Sequence, residues 1–165
     1  MTLLDFQAPN TRPIYLIAYE SPLFRSHWAL WIPVLESNEK MGKKIHVTGN
    51  PHVGFEHEFM RNYCIEDTTR KLNLIKLANV DSKYVVDVPG DGTLSTDTGA
   101  ADEIEKIALT VTPPSKSLRS ASSTPGKKVQ IKDCQTWMRE FVEALISEQV
   151  FPISALEILD TAPKN

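Results

Sequence analysis

Cysteine is scarce in this chain, with only Cys64 and Cys134 among 165 residues. Two thiols far apart in sequence make no disulfide framework. A reducing compartment, the cytoplasm, is therefore the expected location, and there a thiol stays free to react. Long apolar runs are missing too. None approaches the roughly 18 residues of a membrane span, so no transmembrane anchor is expected. The opening MTLLDFQAPNTRP has neither the basic region nor the apolar stretch of a signal peptide. Basic excess is absent: 18 Lys and Arg against 21 Asp and Glu leave a net charge of −3. That excludes an overall electrostatic footprint for nucleic acid. No internal repeat is present, and no His or Cys spacing suits zinc, so neither metal nor cofactor is expected.

What is present is the balance of an ordinary globular protein, 41% hydrophobic and 24% charged, in a chain long enough for one domain, 1–165, with one sizeable core. The first half reads as antiparallel strands. Residues 13–20 are an apolar, aromatic run closed by a turn at Ser21 and Pro22, and residues 27–34 (HWALWIPV) are the next run. A polar connector, 36–42, leads to residues 43–48 (KKIHVT), so these two runs are expected to pair as a hairpin turning around 37–40. Residues 54–63 and 71–77 alternate apolar and polar positions, and residues 83–88 add a short extended piece.

The second half changes character. Residues 89–99, rich in Gly, Asp, Ser and Thr, read as loop. Residues 101–111 place Ile104, Ile107, Ala108 and Val111 at helical spacing, with Asp102 and Glu103 in the first turn. Residues 113–128 are rich in Ser, Pro and base and read as an exposed, flexible loop of lid-like length. Its Lys116, Arg119, Lys127 and Lys128 offer either a receptor for an anionic substrate or a solvated surface. Residues 127–132 read as a short strand, and a last helix starts near Pro152. The expected class is α+β, an antiparallel sheet packed against helices.

The strongest helical pattern runs over 133–147, where Cys134, Trp137, Met138, Phe141, Val142, Leu145 and Ile146 share one face. Asp133 is the natural N-cap, which puts Cys134 at the first helical position, beside unsatisfied N–H groups and the positive end of the macrodipole. A thiolate there is stabilised and its pKa is expected to fall. The alternative is that Cys134 is the first core residue of a buried helix.

Four histidines, His27, His46, His52 and His57, lie in the strand-rich half. In the expected hairpin the start of one strand meets the end of the other, so His27 and His46 can be neighbours. That supplies a base, His27, and an orienting partner, His46, for a nucleophile at Cys134, which is expected within about 4 Å of a His27 ring nitrogen. His52 falls in a turn and reads as solvated. Glu56, His57 and Glu58 cannot converge on a metal, because neighbours on a strand point to opposite faces. Cys64 lies at a strand end without a base nearby in sequence and reads as structural, and Trp28, Trp31 and Trp137 read chiefly as core.

HWALWI, followed by KKIHV and much later by DCQTWMREFVEAL, resembles the lecithin:retinol acyltransferase and H-Ras-like-suppressor phospholipase/acyltransferase family. That family belongs to the circularly permuted branch of the papain-like NlpC superfamily. The chain also looks like short fungal proteins of that superfamily. The resemblance spans about residues 13–147 and is carried by three short segments. It implies a permuted papain-like fold, with base His27, second histidine His46 and nucleophile Cys134. The chain departs from the family at Asp133, where the family has Asn, and at Gln135 and Thr136, where it has Glu-His. It ends in the polar DTAPKN rather than a hydrophobic anchor, which favours a small acyl substrate over a phospholipid.

The resemblance implies thiol chemistry, in which the Cys134 sulfur attacks an ester, thioester or amide carbonyl and forms an acyl-cysteine. Water or another acceptor then resolves that intermediate. The backbone N–H of Cys134 is the expected oxyanion donor. Tyr15 or Tyr19, Gln135 and Trp28 are further oxyanion or substrate-contact candidates. Two other readings stand beside it: a ubiquitin-like isopeptidase, and a non-catalytic binding module that keeps the fold.

Overall fold

The computed structural model describes residues 10–37, 39–116 and 132–165. Six strands, β1 (Thr11–Tyr19), β2 (His27–Pro33), β3 (Met41–Asn50), β4 (Gly54–Cys64), β5 (Leu72–Asp81) and β6 (Ser95–Asp97), form one sheet in the order β5-β1-β2-β3-β4-β6. Every pairing is antiparallel. Three helices complete the chain: α1 (Glu103–Thr110), α2 (Cys134–Ser147) and α3 (Ser154–Asp160). The class is α+β, and no described helix is long and apolar enough to cross a membrane.

β2 is central because its side chains are apolar on both faces, and Trp28 through Pro33 are all buried. Alternation sorts the strands into two layers. Ile14, Leu16, Trp28, Leu30, Ile32, Ile45, Val47 and Phe59 meet Trp137, Met138, Phe141 and Leu145 of α2 and Ile104 and Ile107 of α1 in the larger core. On the opposite face Ile17, Tyr19, Ala29 and Trp31 make a second cluster, with Tyr15, Tyr63, Ile65 and Leu72 packed against it. Each of the large side chains buried here contributes roughly 1.5–3 kcal/mol.

The β2–β3 hairpin forms as expected, in the register Leu30↔Ile45 to Pro33↔Gly42. Its connector is tighter than a polar loop: a 3-10 turn at Leu35–Ser37, with Ser37 Oγ donating to the carbonyls of Val34 at 2.7 Å and Met41 at 3.0 Å. Gly42 is required there, since a Cβ would stand 2.2 Å from the Ile32 carbonyl oxygen.

Two expectations are corrected. Residues 83–88 do not form a strand. Ser82–Tyr84 is a 3-10 turn instead, because the Asp81 side chain accepts the Lys83 N–H at 2.9 Å and caps it. The segment 89–99 is not all loop, since Ser95–Asp97 pairs with β4 as β6. Its residues are all exposed and left no apolar trace in the sequence. Lys127–Lys128 and Arg119 lie outside the described residues, as does most of the 113–128 loop and of the 127–132 segment. At the loop's described start, the Phe55 N–H donates to the Pro114 carbonyl at 2.9 Å.

A buried ionic cluster fixes α1 to the sheet. Asp102 caps α1 by accepting the Glu105 N–H at 2.9 Å. Lys43 pairs with Asp102 and, at 2.7 Å, with Glu105. Arg61 grips Glu105 with two nitrogens at 2.7 and 2.8 Å and reaches Asp97 at 2.9 Å. Glu105 is wholly buried, and its carboxyl is held below the usual range: burial opposes ionisation, but Arg61 and Lys43 outweigh it.

Candidate functional site

Asp133 caps α2 as expected, accepting the N–H groups of Gln135 at 3.0 Å and Thr136 at 3.2 Å, while Thr136 Oγ1 accepts the Asp133 N–H at 3.3 Å. This capping box fixes Cys134 as the first helical residue and aims it at the start of β2. There the β2–β3 ladder has run out, its last pair being Leu30↔Ile45. The backbone groups of Ser26, just before β2, and of Trp28 in β2 are taken up by α2 and by the segment around Lys164. The Ser26 N–H donates to the Lys164 carbonyl at 2.9 Å. The Cys134 thiol points at the Ser26 carbonyl at 3.9 Å and receives the Trp28 N–H. Gln135 Nε2 bridges the carbonyls of Ser26 at 2.9 Å and Lys164 at 3.0 Å, and its Oε1 accepts Arg25, which also pairs with Asp133 at 3.2 Å.

The histidines form a chain. His27 Nε2 lies 2.7 Å from His46 Nδ1, and His46 Nε2 lies 2.8 Å from Glu58 Oε1. Glu58 faces His46 directly across the β3–β4 ladder. The roles follow from what each group can do. A carboxylate only accepts, so His46 carries its proton on Nε2 and accepts at Nδ1. His27 therefore donates from Nε2 and keeps its lone pair on Nδ1. Both imidazoles are pushed down to about 3, by burial first. His27 is lowered further by His46, Lys44 and Arg70, and His46 by Lys44. Both rings are neutral at neutral pH.

Tyr19 stacks on His27, with centroids 5.8 Å apart. Its hydroxyl meets Tyr63 OH at 2.6 Å and accepts Lys44 Nζ at 2.8 Å. Lys44 is buried, with its ammonium 4.4 Å from the Tyr63 ring centre. Burial lowers its pKa to about 8, against the attraction of Glu58. Arg70 lies 4.6 Å over the Tyr19 ring. Burial and the Tyr63 hydroxyl raise the Tyr19 pKa, so its phenol stays protonated.

The structure thus brings His27, His46 and Tyr19 together and sets Cys134 against the backbone on either side of His27. It does not hydrogen-bond the thiol to the imidazole. Cys134 belongs to the helix-side core with Trp28, whereas His27 stacks on Tyr19 of the opposite cluster. The expected fall in the thiol pKa is corrected as well. Burial pushes the thiol up to about 11, and the charge of Asp133 adds to this, against the opposing Trp28 N–H and Arg25. Desolvation outweighs the helix terminus, and the resting sulfur is a protonated thiol.

The other candidates separate. Tyr15 pairs with Trp31, four residues along β1 from Tyr19, and its hydroxyl donates to Glu39 at 3.2 Å. At about 3.3 Å per residue this places it roughly 13 Å away from the histidines, outside the site. Gln135 has both side-chain heteroatoms occupied, and Trp28 Nε1 donates to the Pro163 carbonyl at 2.9 Å. Both hold the site's wall. His57 Nε2 bonds the Val111 carbonyl at 2.9 Å and its ring sits edge-on to Trp137. Among the described residues no group of three or more His, Cys, Asp or Glu side chains is gathered as metal ligands would be. Sequence reasoning missed Glu58, Lys44 and Ser26. The signal for Lys44 was available, since strand alternation puts it on the same face as His46.

The sequence profile of a family described as a family of unknown function, DUF6540, matches residues 14–152. No curated protein and no solved structure matches the chain.

Proposed function

The chain belongs to the DUF6540 family, and we propose that it is a cysteine-dependent hydrolase or acyltransferase acting on a small ester, thioester or amide in the cytoplasm. The observation that carries this reading is the Glu58–His46–His27 chain, which ends between Ser26 and Trp28, the two residues whose backbone groups cradle Cys134. Three polar groups in series, two of them largely buried, are costly to place in a fold. Their order gives one product, a His27 ring with Nε2 occupied and its lone pair on Nδ1. The order His27, His46, Cys134 and the antiparallel sheet with a cysteine opening a helix also support the permuted papain-like arrangement that the sequence resembles.

In this reading the resting pair is neutral thiol and neutral imidazole. A substrate entering at the α2–β2 contact releases the thiol from the Ser26 carbonyl. The thiol, which at rest makes no hydrogen bond to the imidazole, then passes its proton to His27 Nδ1 as sulfur bonds to the acyl carbon. His46 and Glu58 orient the ring and stabilise the imidazolium that forms. The proton goes on to the leaving group, and water or an acceptor nucleophile resolves the acyl-cysteine.

Initial rates on activated esters test the assignments. Cys134→Ser is expected to abolish turnover, and His27→Ala to lower it about 10²–10⁴-fold. Glu58→Gln, which keeps the shape but disturbs the His46 tautomer, is expected to lower it at least about tenfold. Equal rates in all variants would defeat the proposal. A non-catalytic binding module is the second reading, and the burial and raised pKa of the thiol favour it. It predicts no turnover by the unaltered protein on any ester or thioester.

A further inference from the structure

Among the described residues, three side-chain atoms are buried without a hydrogen-bond partner: Arg12 Nε, Trp31 Nε1 and Ser26 Oγ. The first belongs to a guanidinium whose other nitrogens hold Asp87 and the Pro33 carbonyl. The second lies in the cluster on the sheet face away from the helices. Ser26 differs from both. It is 1% exposed, and its backbone is fully used, the N–H on Lys164 and the carbonyl under the Cys134 thiol and the Gln135 amide. Only its hydroxyl is open. It precedes His27 in the chain, and its own carbonyl is the group on which the thiol rests.

Buried hydroxyls almost always find partners, because a hydroxyl can rotate to either donate or accept. One that stays open on the residue whose carbonyl holds the nucleophile has the character of a donor held for an atom present only during reaction. We propose that Ser26 Oγ–H is the side-chain donor of the oxyanion site, resting on the cysteine-nucleophile reading above. As Cys134 Sγ bonds to the acyl carbon, the carbonyl π pair moves onto oxygen. That oxygen accepts the Ser26 hydrogen bond without taking its proton. The thiol proton goes to His27 Nδ1 and then to the departing alkoxide, thiolate or amine as the carbonyl re-forms. This favours substrates whose reacting group is a carbonyl, and it gives no help to attack at saturated carbon.

Two reagents separate these cases. p-Nitrophenyl acetate acylates through an oxyanion, whereas iodoacetamide alkylates at saturated carbon and develops none on the attacked atom. Rates at Cys134 are read by intact mass and peptide mapping at pH 9, with Cys134→Ser as blank. Ser26→Ala is expected to slow acylation about 10–1000-fold, the range for loss of one oxyanion donor. Alkylation is expected to stay within about twofold, with a melting temperature unchanged or raised, since the lost hydroxyl had no partner. Ser26→Thr, which keeps the hydroxyl, is expected to retain acylation, and it carries the test if Ser26→Ala does not fold. Unchanged acylation in Ser26→Ala, an equal fall in both rates, or lost acylation in a folded Ser26→Thr would overturn the donor role alone. Absence of any acetyl adduct on Cys134 in the unaltered protein would overturn the cysteine reading and this inference with it.

Discussion

His27 and His46 are neutral in the folded protein because each is buried and each faces Lys44, and that neutrality has a thermodynamic signature. Both pKa values fall from 6.5 to about 3 on folding. Between those values the unfolded chain binds protons that the folded chain refuses, so stability is full above about pH 6.5 and declines as pH falls toward 3. Each histidine contributes a slope of up to about 1.4 kcal/mol per pH unit within that window. Urea unfolding from pH 7 to 4 is expected to show a steep loss of stability that His46→Gln makes shallower. A flat profile would contradict the burial of the pair. At this scale the sequence was informative about types and faces: Cys134 at the helix start, and His27 and His46 as neighbours. Glu58 was not legible as a partner, because alternation assigns a residue to a face without naming the strand opposite. The thiol pKa was misjudged because a helix terminus is visible in sequence and burial is not.

α1 and α2 show how local signals and tertiary ones divide. The α2 helix was legible from end to end: Asp133 caps it, and its apolar face runs from Cys134 to Leu145 as the periodicity required. The α1 helix was found by the same spacing, but nothing in that spacing singles out Glu105. It is instead wholly buried between Lys43 and Arg61. Charges in strands and helices are ordinarily solvated, so only the packing of α1 on β3 and β4 discloses the cluster. Glu105→Ala removes the anion shared by two buried cations and leaves Lys43 with Asp102 alone and Arg61 with Asp97 alone. It is expected to destabilise the fold by roughly 3–5 kcal/mol, since breaking a buried pair strands its partners. Equilibrium urea denaturation measures this, and a loss below about 1 kcal/mol would place the cluster's charges in water. The short edge strand β6 and the Ser82–Tyr84 turn escaped sequence reading for a related reason: the first is held by its ladder to the distant β4 and the second by its Asp81 cap and a bond to Asn10, not by an apolar pattern of their own.

Across the molecule, the order β5-β1-β2-β3-β4-β6 sets the longest-range pairing, β1 with β5, directly beside the hairpin that carries the histidines, because β1 also pairs with β2. Apolar alternation gave most of the strands but could not give that order. It likewise could not show that β2 parts from β3 just where α2 arrives. That parting creates the candidate site: Ser26 and Trp28 offer backbone groups to Cys134 and Gln135, while the histidine chain ends beside them. The central claim, that Cys134 forms an acyl intermediate with His27 as base, is tested most directly by mapping covalent adducts. The protein is incubated with a panel of activated esters and thioesters, quenched in acid, digested and read by peptide mass spectrometry. The predicted result is an acyl group on Cys134 and not on Cys64, lost in His27→Ala. Equal acylation of both thiols, or Cys134 left bare by every donor, would contradict it.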